Sequence, residues 1–284
     1  MDFGIGSQDC GRFFLDFVGR YAPEQVSVRW CDAPRATNEE IDSLIEQTWH
    51  RETTKAGQTD RRLFNGRLCR LIGLSNSEDG LSLTLGEVSF KEFLGTNLSN
   101  AYLRHLHGPE VLADALGVSS AVVTSDGFLL LGRRSHQVAY HGGRIHPIGG
   151  IVEPGDDPAS PPDPFQTMTA ELREELGLSP DQIRSIHCMG VVRDKHIVQP
   201  EMLFETKVDA DVPTLVSGAR QAKDSMEHAE VVPVRNHPAA VVSFMEQNTA
   251  TLTPVALATL LLHGLRNWGG GWFASTQGYL RSTF

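Results

Sequence analysis

The stretch from Val118 to Leu178 constrains the fold most, because its parts are legible in turn and must pack on one another. SSAVVTSDGFLLLGRRS reads as a strand, a Ser-Asp-Gly turn and a second strand, which predicts a β-hairpin. IHPIGGIVEPGD follows as a strand running into a glycine-rich loop. PASPPDP, residues 158–164, is too rich in proline to be helical or to join a central ladder. Phe165 to Leu176 is the best helix of the chain, stopped by Gly177 and Pro180.

The flanks supply more of both element types. A helix is expected from Asn38 to Trp49, capped by Thr37 or Asn38 and with acids in its first turn. Strand-like runs cover Arg67 to Leu74 and Leu81 to Val88, with a turn at Glu78, Asp79 and Gly80 between them. Further strands are expected at Ile186 to Val192 and Glu201 to Val208, and a last helix from Pro254 to Leu265. Hairpins with helices laid against them give an α+β class, an α/β/α sandwich around a mixed sheet. The chain's 284 residues accommodate two units, residues 1–95 as a smaller N-terminal α+β domain or extension and residues 96–284 as the main domain.

Charge narrows the function. With 35 acidic against 25 basic side chains, a net −10, the chain offers no electrostatic footprint for nucleic acid, and an anionic ligand would need a local cation. The first residues, MDFGIGSQDC, do not read as a leader, and the longest apolar run, Val255 to Leu262, is too short to span a bilayer, so cytoplasmic residence without membrane contact is the expectation. Cys10, Cys31, Cys69 and Cys188 are scattered and read as buried free thiols rather than a zinc site.

Chemistry concentrates in AELREELGL. Glu171, Glu174 and Glu175 stand at i, i+3 and i+4, which gathers three carboxylates on one helix face. Glu174 and Glu175 also lie in the last turn, where the helix dipole disfavours negative charge, so a compensating cation is implied. An isolated acidic pair would be a solvated helix face. Here Gly149 and Gly150 allow close backbone approach just upstream, and Glu153, Asp156 and Asp157 add carboxylates, a set of hard oxygens of the kind magnesium prefers.

These residues resemble the Nudix box, which runs glycine, five residues, glutamate, seven residues, then Arg-Glu-aliphatic-x-Glu-Glu-x-Gly-aliphatic. Gly150 matches the first glycine, Asp156 replaces the first glutamate, and Glu171, Leu172, Glu174, Glu175, Gly177 and Leu178 match the final block. Thirteen residues, 157–169, stand where seven are usual, and Ala170 replaces the arginine that in the family orients a neighbouring glutamate. FKEFLGTN, the LGV at 116–118, RRSHQVA and PIGGIVEP resemble the mammalian UDP-glucose and UDP-galactose diphosphatase branch of that superfamily. The resemblance implies a Nudix fold and magnesium-dependent hydrolysis of a small nucleotide-sugar to UMP and a sugar 1-phosphate, with manganese as an alternative ion. By position it implies Glu171 and Glu175 as metal ligands, Glu174 as a lesser one and the Gly149 carbonyl as another, with all three glutamates forming the catalytic group. Glu175, Glu227 and Glu230 are its candidate bases, the last two reading rather as ordinary exposed acids.

For substrate binding, Arg134 and Arg133 end the second hairpin strand and suit a phosphate clamp, with Arg193 a further candidate. The alternative for each is an exposed strand-end charge. Thr96 and Asn97 carry groups able to contact a base or ribose, although a turn or cap explains Gly-Thr-Asn as well. His136, His141 and His146 lack metal spacing and read as loop histidines, and GIGSQDCG fits neither a dinucleotide fingerprint nor a P-loop.

Overall fold

The computed structural model describes residues 8–58, 63–77, 80–136, 138, 140–155, 160–223 and 228–283. In chain order its strands are β1 (Gln8–Asp9), β2 (Phe13–Tyr21), β3 (Val26–Trp30), β4 (Arg67–Ser77), β5 (Gly80–Ser89) and β6 (Gly117–Val123). There follow β7 (Phe128–Arg134), β8 (Ile145–His146), β9 (Ile148–Ile151), β10 (Ile183–Asp194), β11 (Pro200–Val208) and β12 (His228–Arg235). The helices are α1 (Glu39–Gln58), α2 (Phe90–Phe93), α3 (Leu103–His107), α4 (Pro164–Leu176), α5 (Val212–Gln221), α6 (Pro238–Gln247) and α7 (Pro254–Thr283).

The larger sheet runs β1-β2-β10-β11-β6-β7-β12, with β8 beside β7 and β9 beside β6. It is mixed, as expected: β11 and β6 pair in parallel, aligning Glu201 with Gly117, while β10 and β11 run antiparallel. A second sheet, β3-β5-β4, lies apart from this path. The residues before 95 therefore supply strands to both sheets, since β2 pairs with β10 in the larger one.

Side chains alternating along each strand fill a core on either face of the large sheet. Leu130 and Phe204 enter the first core together with Leu81, Leu83 and Leu85 of β5 and Phe165, Met168 and Leu172 of α4. Their neighbours Leu129, Leu131 and Leu203 enter the second, against Val241 and Met245 of α6 and Leu257 and Leu261 of α7. Helices on both faces of a mixed sheet make the expected sandwich.

Two helices outrun their expected ends. Asn38 caps α1, its Oδ1 accepting from the Ile41 N–H at 2.9 Å, but the helix continues past Trp49 to Gln58 because no breaker stands before Gly57. The last helix passes Leu265 and reaches Thr283 across a kink at Gly269, whose φ of 90° only glycine adopts readily. Among the described residues no helix is long and apolar enough to cross a membrane. Cys10, Cys69 and Cys188 are buried and Cys31 partly so.

Candidate active site

The box helix is fixed at both ends by local chemistry. Asp163 caps α4 by accepting from the Phe165 N–H at 2.8 Å, and Pro164 takes the first helical position, where its missing N–H costs nothing. Of the proline-rich stretch, Pro161 is exposed but Pro162 and Pro164 are buried, so the expected loop ends as the helix's own seat; Asp156 to Ala159 lie outside the described residues. At the other end Gly177 takes φ 70°, donating to the Arg173 carbonyl at 3.0 Å, while the Leu178 N–H reaches the Leu172 carbonyl. Met168, Leu172 and Leu176 anchor the helix in the core.

Above this helix lies a cleft of about 910 Å³. Glu171 and Glu174 line it, together with Gly149 and Gly150 of β9 and Arg134 at the end of β7. The Glu171 carboxylate rests on Gly150, where an added Cβ would lie 2.1 Å from its Oε1. Glu174 accepts from Lys223 Nζ at 2.6 Å, a cation that compensates the acidic last turn of the helix as the dipole argument implied. Glu175 is 3% exposed and is not among the residues lining the cleft, so the helix sends two of its three glutamates there. Hard oxygens from Glu171 and Glu174 suit magnesium in kind. Among the described residues no three His, Cys, Asp or Glu side chains gather into a ready cage. The set thus fits an ion that keeps waters and takes substrate oxygens, the habit of magnesium.

The cleft floor holds groups the sequence did not reveal. Glu201, at the head of β11, lines it while 6% exposed; burial pushes its carboxyl up to about 7, although the Ser119 hydroxyl donates to Oε1 at 2.5 Å and Arg134 lies near. Asp194, at the end of β10, is 1% exposed and meets His141 Nε2 at 3.0 Å, and both line the cleft. Arg134 is half-buried, and its Nε has no hydrogen-bond partner among the described residues, which leaves it suited to an anion.

The other expected binding residues lie elsewhere. Arg133 pairs with Glu230 at 3.0 Å. Thr96 and Asn97 are buried and tied into the fold: Thr96 donates to the Glu92 carbonyl, and Asn97 donates to the Ile197 carbonyl and accepts from the Asp114 N–H. Arg193 donates to Asp16 at 2.6 Å and to Asp114 at 2.8 Å. Burial would lower its pKa, but these two carboxylates outweigh it and hold the guanidinium above its ordinary value. None of Arg133, Thr96, Asn97 and Arg193 lines the cleft. Glu227 falls outside the described residues.

No family model matches the chain. It is 36% identical over 149 residues to the mouse uridine diphosphate glucose pyrophosphatase NUDT22, an alignment covering 48% of this chain and 47% of that protein. It is 25% identical over 246 residues to Nudix hydrolase 9 of Arabidopsis thaliana, covering 72% of this chain and 78% of the relative. The Nudix domain of Shewanella oneidensis NrtR, solved with ADP ribose, overlays 59% of this chain and 98% of its own length at 16% identity and a TM-score of 0.38. The chain thus spans about half the length of the mouse relative it matches. Over these alignments the chain is similar to Nudix hydrolases, and it carries paired glycines on β9 beside a glutamate helix, set on a mixed sheet between helices.

Proposed function

We propose that the protein hydrolyses the diphosphate of a UDP-sugar, UDP-glucose or UDP-galactose, to UMP and a sugar 1-phosphate. The observation that carries this reading is one cleft lined by Glu171 and Glu174 from the box helix, by the paired glycines and by Arg134, whose buried Nε has no partner among the described residues. The uridine and sugar are inferred from the similarity to a uridine diphosphate glucose pyrophosphatase.

In this reading Glu171, Glu174 and the Gly149 backbone hold magnesium, with Glu175 one turn behind Glu171. When bound, the ion neutralises diphosphate charge and polarises the phosphorus under attack. Arg134 clamps phosphate oxygens with a fork that a compact ammonium lacks. Lys223 offsets the helix's acidic end through Glu174.

The test is a panel of UDP-glucose, UDP-galactose, ADP-ribose and a dinucleotide, each with and without magnesium. Higher kcat/KM for a UDP-sugar is expected, with turnover lost on chelation. A tenfold preference for ADP-ribose would replace the substrate and keep the chemistry. Ala170 in place of the box arginine and the thirteen residues 157–169 where seven are usual favour, as a second reading, a nucleotide-sugar binder without turnover. In that case UDP-glucose binds but no sugar phosphate is released.

A further inference from the structure

We infer that His141, held by Asp194, takes the proton of the attacking water in this cleft, which makes it a catalytic residue of the hydrolysis proposed above, the reading on which this assignment rests. Both side chains line the cleft, with 3.0 Å between His141 Nε2 and Asp194 Oδ2. The other Asp194 oxygen is occupied, accepting from the His196 N–H at 2.7 Å, so the carboxylate cannot turn away from the imidazole. The Tyr140 ring lies 3.7 Å from the imidazole, centroid to centroid.

The backbone supplies an independent sign. His141 has φ 57°, left-handed geometry that strains a non-glycine residue and that clusters at functional sites. Hydrogen bonds between Arg134 and its partners Gly143 and Arg144 fasten the far side of the loop to β7 and hold the residue there.

A carboxylate accepting from Nε2–H leaves the lone pair on Nδ1 and stabilises the imidazolium formed when that nitrogen takes a proton. The step balances. A water O–H bond breaks and its proton moves to Nδ1 while the oxygen bonds to phosphorus. The bridging P–O bond breaks and its electron pair leaves on the departing phosphate. The charged groups around the ring are Asp194 of β10, Arg134 of β7 and Arg144 of its own loop. Burial, the largest influence, pulls the imidazole below its ordinary 6.5, with Asp194 opposing, so the ring is neutral and able to accept a proton at pH 7. Of the bases offered by the sequence, Glu175 does not line the cleft and Glu230 is paired with Arg133, while Glu201 in the cleft floor is engaged by the Ser119 hydroxyl.

The left-handed backbone also selects the test, because His141→Gly removes the imidazole at a position where glycine is at ease. His141→Asn, which tolerates the same geometry and keeps a donor for Asp194, separates catalysis from mere fastening of the loop. The wild type and both variants are assayed on UDP-glucose and ADP-ribose with magnesium, alongside UMP binding and melting temperature. The expected result is a fall in kcat of about a hundredfold or more in both variants with UMP affinity kept, loss of the acid limb below pH 6.5, and partial rescue of the glycine variant by imidazole. Wild-type kcat in His141→Asn, or a fall matched by lost UMP affinity, makes the pair a structural staple and overturns the assignment. A wild type that cleaves only ADP-ribose, with both variants inactive on it, overturns the UDP-sugar reading and leaves the base standing. A wild type that cleaves neither substrate overturns both.

Discussion

Gly149 and Gly150 are adjacent in β9, yet each leaves room for a different neighbour. A Cβ on Gly149 would lie 2.0 Å from the Val118 carbonyl oxygen and 2.8 Å from the Ser119 Cα, both backbone atoms. Gly149→Ala must therefore break the β6–β9 pairing and should cost about 3 kcal/mol of unfolding free energy. A Cβ on Gly150 instead meets the end of the Glu171 side chain, which can swing. Gly150→Ala should keep stability within about 1 kcal/mol while displacing that carboxylate, with a loss of roughly a hundredfold in kcat. Denaturant titration beside UDP-glucose kinetics checks both, and equal stability losses would sink the distinction. Glu201 adds a pH effect. Its carboxyl is raised from 4.5 to about 7 in the fold, so ionising it costs stability that is intact below 4.5 and lost as pH rises through 7. Glu201→Gln has nothing to ionise, and its advantage over wild type should grow across that interval to as much as about 3 kcal/mol. A pH-independent difference in melting temperature would refute this. Neither Glu201 nor the His141–Asp194 pair was legible, because Glu201 meets Ser119 across 82 residues of sequence and His141 meets Asp194 across 53. Such contacts are made by sheet pairing, and spacing along the chain carries no trace of them. The glutamates of α4 were legible because a single helix sets their relation.

Elements were readable where their start and stop chemistry is local. The β6–β7 hairpin turns at Ser125-Asp126-Gly127, and α4 ends at Gly177 in the left-handed geometry that glycine supplies. The face of α4 was harder to read, since i, i+3 and i+4 spacing leaves a sector wide enough to straddle the boundary of the core. Glu175 falls on the core side beside Leu172 and Leu176, all three buried, and Glu171 and Glu174 fall on the cleft side. The end of α7 was masked by Gly269, Gly270 and Gly271, which normally terminate a helix. Helix resumes because Trp272 packs directly over Gly264, so tight that a Cβ there would lie 1.9 Å from the indole. Tertiary packing of one aromatic ring outweighs the local stop signal.

At the scale of the whole molecule, α7 closes the second core, and a buried polar knot fastens it to the sheet. Glu205 of β11 is 2% exposed and meets His263 Nδ1 at 2.8 Å and Asn267 Nδ2 at 2.6 Å, both from α7, with Arg266 at 3.4 Å. His263 Nε2 bonds in turn to Asn236 Oδ1, just beyond the end of β12. Burial alone would raise the Glu205 carboxyl, but His263, Asn267 and Arg266 overcome it and hold the group down at about 2. A depressed folded value means stability that is complete above the ordinary 4.5 and is lost as pH falls toward 2, the opposite slope to that of Glu201. The two buried carboxylates of one strand therefore confine maximal stability to a window bounded by acid on one side and neutrality on the other. The acid side is the sharper test, because it predicts a difference between two proteins. Glu205→Gln keeps the side chain's size but cannot gain from ionisation, so it should be less stable than wild type at pH 5 by up to about 3 kcal/mol, roughly 5–10 °C in melting temperature. Other carboxylates titrate identically in both proteins and cancel, so the gap should close as pH falls from 5 to 2. Melting curves across that range decide it: a gap that stays constant would mean that α7 is held by its apolar face alone and that the knot contributes no net electrostatic stability.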